Sequence, residues 1–193
     1  MARTKEFDPD AALHRALELF WERGYEATSM AELVEHLGIG RASLYATFGS
    51  KHDLYLKALD HYLDSRDPHP IELLSQPGPA VPAIRRLVHL YAEESAGNSR
   101  RRGCMVVNAA AEMLPGDEQV ARFVEASWTT LETAITSALV RAKAQAEIDA
   151  DADPRALARF LVVFLQGVRV TSKGVMPPTW HRDAAEQALT VLR

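Results

Sequence analysis

The chain has 193 residues and a mass of 21.4 kDa, enough for one domain or two small ones that share a core. Hydrophobic residues make up 47% and charged residues 25%, so the composition argues against global disorder, and the net charge of −4 excludes a polybasic chain. Any nucleic-acid binding must therefore come from a local patch. A single cysteine, Cys104, excludes an internal disulfide framework and any multi-cysteine zinc or iron–sulfur site. The longest apolar stretch, 160–170, is broken by Gln166 and Arg169 and falls short of the ~18 residues a membrane span needs. The start, Met1-Ala-Arg-Thr-Lys-Glu-Phe-Asp8, has no apolar signal stretch, so a cytoplasmic location without membrane contact is expected.

Apolar residues recur at spacings of three and four, and no run of alternating strands or Asn-Gly hairpin interrupts them, which predicts an all-α fold. The first helix is expected over 9–23. Asp8 caps it, Pro9 fits its first turn, Gly24 follows its end, and Leu13, Ala16, Leu17 and Phe20 share one face. A second helix opens at Ser29-Met-Ala-Glu32, a capping box, and ends at Gly38. Gly38-Ile39-Gly40 leads into a short third helix over 41–47, and Ser50-Lys51-His52-Asp53 starts a fourth that reaches about residue 65. A proline-rich linker follows (Pro68, Pro70, Pro77, Pro79, Pro82). Beyond it five more helices are expected, over 80–97, 101–113, 118–148, 154–173 and 181–192. The expected organisation is a helix-turn-helix unit over 1–50, a connecting helix over 51–66 and a second domain over 67–193.

Two short helices joined by Gly38-Ile39-Gly40 and flanked by longer ones make a helix-turn-helix pattern. A tight turn lets the second helix cross the DNA backbone while the third enters the major groove, and glycines permit the turn's backbone angles. The third helix offers small or polar residues, Arg41, Ala42, Ser43 and Thr47, while Leu44 and Phe48, one turn apart, hold it to the core. The run from Phe20 through Gly24-Tyr-Glu-Ala-Thr-Ser-Met30 and Leu37-Gly-Ile-Gly-Arg-Ala-Ser-Leu-Tyr-Ala-Thr-Phe-Gly-Ser-Lys-His-Asp-Leu54 resembles the DNA-binding signature of the tetracycline-repressor (TetR) family, nearly gapless over about residues 8–60. The segment Arg102-Gly-Cys-Met-Val-Val-Asn-Ala-Ala-Ala-Glu112 resembles one branch of that family. The resemblance implies an all-α homodimer whose N-terminal helices bind a palindromic double-stranded operator and whose C-terminal helices dimerise and bind an inducer.

Carried over residue by residue, the resemblance puts Thr28 and Ser29 near a phosphate at the start of the second helix. Arg41, Ala42, Ser43 and Thr47 then face bases, and Tyr45 and Lys51 contact phosphates. Between Met1 and Lys51 six cations face eight carboxylates, a balance of −2, so phosphate binding relies on few cations and on helix ends. Arg3 and Lys5 are candidates for an arm contact.

The helix expected over 154–173 is apolar over most of its circumference, which predicts burial on more than one side. Gly167 within it points to a close helix approach. With the last helix it is expected to form a four-helix dimer interface through Phe160, Phe164, Gly167, Val168, Ala185, Leu189 and Leu192. Cys104, Asn108 and Glu112 are spaced by four and share one face, and a ligand site is expected among them with His89, Met105, Phe123, Trp128, Gln166, Arg169 and Lys173. Cys104 near Arg101, Arg102 or Lys173 would have a depressed pKa and could sense oxidants or electrophiles; packing as a small core residue is the alternative. Arg100, Arg101 and Arg102 read as a solvated helix start.

An enzyme is not expected. There is no Glu-x-x-His pair, His-Glu-x-x-His, Gly-x-Ser-x-Gly or phosphate-binding glycine loop, and no cofactor or metal is implied. The leading function is a ligand-responsive repressor; the alternative is a protein-interaction module that kept the fold without DNA binding.

Overall fold

In the computed structural model, residues 7–66, 68–96, 102–177 and 179–192 are described. Among them the chain forms ten α-helices and no strand: α1 (Pro9–Arg23), α2 (Met30–Leu37), α3 (Arg41–Phe48), α4 (Lys51–Asp64), α5 (Pro70–Ser75), α6 (Ala80–Ala96), α7 (Met105–Met113), α8 (Glu118–Ala144), α9 (Pro154–Thr171) and α10 (Trp180–Ala188), closed by a 3-10 turn at Leu189–Val191. Local chemistry sets most ends. Asp8 accepts from the Asp10 and Ala11 amides, and Asp117 and Asp153 cap α8 and α9 in the same way. Ser29 with Glu32, and Ser50 with Asp53, form reciprocal capping boxes. Gly38 ends α2 at φ 66, a left-handed conformation that glycine adopts without strain. Gly40 needs no such freedom: it caps α3 at φ −62, so only the first glycine of the turn is required by backbone angle.

Several expectations are corrected. The proline-rich linker contains a helix, α5, begun by Pro70 and tied to α8 by Arg141, whose Nη2 donates to the Leu74 carbonyl at 2.8 Å. α7 starts at Met105 rather than 101, because Gly103 turns the chain at φ 65. Arg102 therefore lies before the helix; Arg100 and Arg101 lie outside the described residues. α8 ends at Ala144, just ahead of Ala146 with its left-handed φ of 56.

Two apolar clusters organise the packing. The first joins α1–α4 through Ala16, Phe20, Leu33, Leu44, Leu54, Tyr55 and Leu59. It is not confined to those helices: Cys104 to Val107 and Ala109 of α7, with Val120 and Val124 of α8, are part of it. The second joins α5, α6, α9, α10 and the C-terminal half of α8. α8 thus runs through both clusters. The bottom of α6 is capped from a distance by Glu147, whose carboxylate accepts from the Ala80 and Val81 amides at 2.8 and 3.1 Å.

Candidate nucleic-acid interface and ligand cavity

α3 is anchored by Leu44 and Phe48, both buried, and turns Arg41, Ala42, Ser43, Tyr45 and Ala46 outward. Thr47 is half-buried, and the Arg41 guanidinium lies 5.7 Å from the Tyr45 ring. No side chain caps the start of α3, so its first amide donors face solvent. Lys51, at the start of α4, holds its ammonium 4.2 Å from the Tyr25 ring centre. Tyr25 packs in turn on Tyr55, His52 and Phe20, so an aromatic cluster positions this cation.

Thr28 is a correction. It is fully buried, and its hydroxyl donates to the Gly24 carbonyl at 2.7 Å, locking the α1–α2 turn instead of meeting a phosphate. Ser29 is exposed, but the α2 N-terminus already holds an anion of its own: Glu32 accepts from the Ser29 amide at 2.8 Å and pairs with Arg23. The Ser29 backbone and hydroxyl, with Arg23, hold the Glu32 carboxyl below its ordinary value. Arg3 and Lys5 lie outside the described residues.

Polar contacts tie this unit to the rest of the chain, and those of Glu112, Trp21 and His52 were not read from the sequence. Glu112 of α7 accepts from the Tyr25 and Glu26 amides at 3.0 and 2.8 Å. Trp21 Nε1 donates to the Gly103 carbonyl at 3.0 Å, and His52 Nε2 lies 2.7 Å from Asp117 Oδ2. The Val120 amide, together with His52, holds the Asp117 carboxyl below its usual range. Glu112→Ala is expected to lower stability by about 1 kcal/mol, the net worth of an exposed hydrogen-bonded contact, in urea unfolding. Unchanged stability would mean that the α1–α2 loop is held by its packing alone.

A cavity of about 330 Å³ opens between the α4–α5 segment, α6, α7, α8 and α9. Val106, Phe123, Trp128 and Leu131 supply apolar wall; Arg66, Tyr91, Gln166 and Arg169 supply polar wall. Arg169 Nη1 donates to Cys104 Sγ at 3.1 Å, and its guanidinium lies 4.0 Å from the Tyr91 ring centre. Arg66 approaches the same ring at 5.0 Å, donates to the Tyr91 hydroxyl and pairs with Glu94 at 3.4 Å. Burial pushes the Cys104 thiol up, but Arg169, the Val107 amide, the Tyr62 hydroxyl and Arg66 outweigh it and hold the thiol below its ordinary value.

Of the residues expected around a ligand, the cavity brings together Phe123, Trp128, Gln166 and Arg169. The others are corrections. Cys104 and Met105 are buried in the first cluster behind the wall. Asn108 is engaged by the Arg102 carbonyl and by Lys173 Nζ, and Lys173 is exposed. Glu112 holds the α1–α2 loop. His89 sits on the outer face of α6, 3.6 Å from Glu186. The face of α7 spaced by four from Cys104 is thus not the face that meets the cavity; Val106 is.

The dimer expectation divides similarly. Val168, Ala185, Leu189 and Leu192 are buried in the chain's own core. Phe160 and Gly167 are exposed and Phe164 is half-buried, with the two phenyl rings stacked at 6.5 Å. Val163, 73% exposed, and Val170 extend this stripe, and Trp180 is exposed on α10. A Cβ on Gly167 would meet nothing within 4 Å, so among the described residues no helix approaches it. Among the described residues no helix is long and apolar enough to cross a membrane, and no group of three or more His, Cys, Asp or Glu is placed to hold a metal.

A helix-turn-helix carried on a helical bundle defines a class of DNA-binding regulators, and comparison with known proteins agrees. Residues 12–58 match the family of bacterial regulatory proteins, tetR family, and residues 80–188 match the tetracyclin repressor-like C-terminal domain. The chain belongs to the TetR family of transcriptional regulators. YezE of Bacillus subtilis (strain 168), an uncharacterized HTH-type transcriptional regulator, is 43% identical over 143 residues, which cover 74% of each chain. ComR of Escherichia coli (strain K12), an HTH-type transcriptional repressor, is 31% identical over 172 residues, 89% of this chain and 82% of that one. The TetR family transcriptional regulator CifR, solved as a cysteine mutant with 26-bp double-strand operator DNA, superposes with a TM-score of 0.88 at 33% identity, covering 99% of this chain and all of CifR.

Proposed function

We propose that the protein is a cytoplasmic homodimeric repressor that binds a palindromic operator and releases it when a small molecule occupies the cavity. The observation that carries this reading is α3: two buried anchors, a capless N-terminus and an outer face of small and polar residues that a major groove can accept. The relatives named as repressors, and CifR in complex with operator DNA, support it. Arg41, Ser43, Ala42 and Thr47 face bases; Ser29, Tyr45 and Lys51 contact phosphates. The open stripe of Phe160, Val163, Phe164, Gly167 and Val170 meets the same stripe of a second copy, which gives the protein the two-fold symmetry of a palindrome.

The cavity connects to the DNA-binding unit through Arg169. Its partner Cys104 is next to Gly103, whose carbonyl holds Trp21 in α1. A ligand that moves Arg169 shifts the seat of α1 and with it the spacing of the two recognition helices. Operator affinity then falls by the ligand's differential affinity for the two arrangements. Between a reversible ligand and an electrophile, the cavity favours the first, because Cys104 is buried and does not line it.

Selection from a random duplex library with the purified protein tests the reading, with an enriched inverted repeat as the expected result. The second reading, a protein-interaction module, is favoured by the −2 balance of residues 1–51, and absence of enrichment at low salt would demote the helix-turn-helix to a scaffold. On the selected operator, Tyr45→Phe with Lys51→Ala is expected to weaken binding uniformly across sequences. Each lost lysine–phosphate contact should reduce the salt slope by about one. Unaltered binding would remove both residues from the interface.

A further inference from the structure

Arg169 is a buried cation that, among the described residues, touches no carboxylate directly. It is 8% exposed, its Nη1 is spent on Cys104 Sγ, its face lies on Tyr91, and its Nη2 has no hydrogen-bond partner. Burial disfavours its charge, yet Cys104, Tyr91, Tyr62 and Glu94 outweigh burial and keep the guanidinium more firmly protonated than usual. Among the described residues four buried side-chain polar atoms lack a partner, and three of them belong to the wall of this one cavity: Trp128 Nε1, Gln166 Oε1 and Arg169 Nη2. Native proteins leave few such atoms, and a cluster of them around one space calls for a specific cause. Arg66 brings a second guanidinium to the same wall; Asp60 lines it too, and Glu94, 3.4 Å from Arg66, offsets part of that charge from outside the lining.

We infer that the cavity binds a small organic acid, with its carboxylate on Arg169 Nη2, Arg66 as the second cation, the Trp128 indole as a neutral donor, and its hydrocarbon body on Val106, Phe123 and Leu131. The inference rests on the reading of the chain as an effector-responsive regulator and names the effector's class. Three features select that class. A planar fork of N–H donors matches a carboxylate. The indole N–H donates but cannot accept, so it favours an anion or carbonyl over a cation. The volume of 330 Å³ lies near the lower end of the ~300–1,000 Å³ usual for small-molecule sites, which fits a short or monocyclic acid. The three unpartnered atoms are themselves buried, so an arriving acid must turn the end of Arg169 toward it, and Gln166 must present its amide nitrogen in place of Oε1. Movement of Arg169 away from Cys104 is the event that the proposed route to α1 needs.

The test is calorimetric titration of the full-length protein, without DNA, using butyrate, hexanoate, benzoate and mandelate, each beside its neutral carboxamide. At least one acid is expected to bind one per chain, with its amide at least tenfold weaker. Arg169→Gln is expected to cost the acid at least tenfold and the amide little. Arg66→Gln, which keeps a donor in place of a mostly buried guanidinium, should cost the acid severalfold, and Trp128→Phe, which removes the indole donor, should weaken the acid more than its amide. An amide that binds as well as its acid would overturn the inference. So would a folded Arg169→Gln protein with unchanged acid affinity, or no heat from any acid up to tens of millimolar. Operator affinity is measured separately on the selected repeat. An acid that binds but leaves operator affinity unchanged would sink the regulatory reading and spare the ligand class. Release by a neutral compound alone would do the reverse.

Discussion

Val163→Asp is expected to turn the protein into a monomer and to abolish tight operator binding. Val163 is 73% exposed in the single chain, on the same stripe of α9 as Phe160, Gly167 and Val170. On an ordinary surface such a change stays within roughly ±0.5 kcal/mol. At a two-fold interface it buries two carboxylates without partners, each costing about 3–5 kcal/mol. A penalty of that size weakens the dimer by at least about two orders of magnitude per copy, at 1.4 kcal/mol per decade. Sedimentation equilibrium would report half the parent mass, with helicity little changed and the thermal midpoint lowered by the lost association alone. Operator affinity would fall further than either half-site contact explains, because a monomer can occupy only one half of a palindrome. A variant that stays dimeric would place the interface elsewhere, and the open face at Gly167 would need another occupant.

How much of this was legible in the sequence follows the reach of each signal. The helix-turn-helix was legible because its determinants are local. Asp8, Ser29 and Ser50 cap within three residues of themselves, Gly38 ends α2 by its own φ, and Leu44 and Phe48 lie one turn apart. Spacing also found the apolar face of α9 but could not say which part of it meets the chain's own core. With Leu161 and Leu165 on one side and Phe160 and Val163 on another, both sides read as buried. Val168, Ala185, Leu189 and Leu192 were therefore assigned outward, although Val168 is buried within the chain and the other three close the second cluster. The cavity was the least legible part. Its wall gathers residues from Arg66 to Arg169, and the every-fourth pattern of Cys104, Asn108 and Glu112 gives a face of α7 without saying what faces it. Glu112 falls on that face by its spacing of four from Asn108, but its partners, two backbone amides almost ninety positions away, leave no trace in composition. Buried Arg169 was the detectable signal, an arginine in an apolar helix with no acid at helical spacing.

Leu44→Ala is expected to loosen the recognition helix before it unfolds the protein. Leu44 is fully buried, and α3 is a helix of eight residues whose packing comes from α4 and the residues beneath Leu44 and Phe48. So short a helix does not hold itself together in water. Truncating a buried leucine costs roughly 2–5 kcal/mol, including the cavity it leaves. The first cluster keeps Phe20, Leu33, Leu54 and Tyr55 in place, so the loss falls on α3 first and appears as local opening. Hydrogen exchange of the α3 amides should accelerate while the α1 and α8 amides stay protected. Operator affinity should fall in proportion to the fraction of molecules in which α3 remains docked. Conversely, Tyr45→Phe, on the outer face of the same helix, should weaken binding without changing exchange. If exchange in α3 stayed at the parent rate, the helix would be held by more than its two anchors, and any loss of operator affinity would have to come from the groove-facing side chains alone.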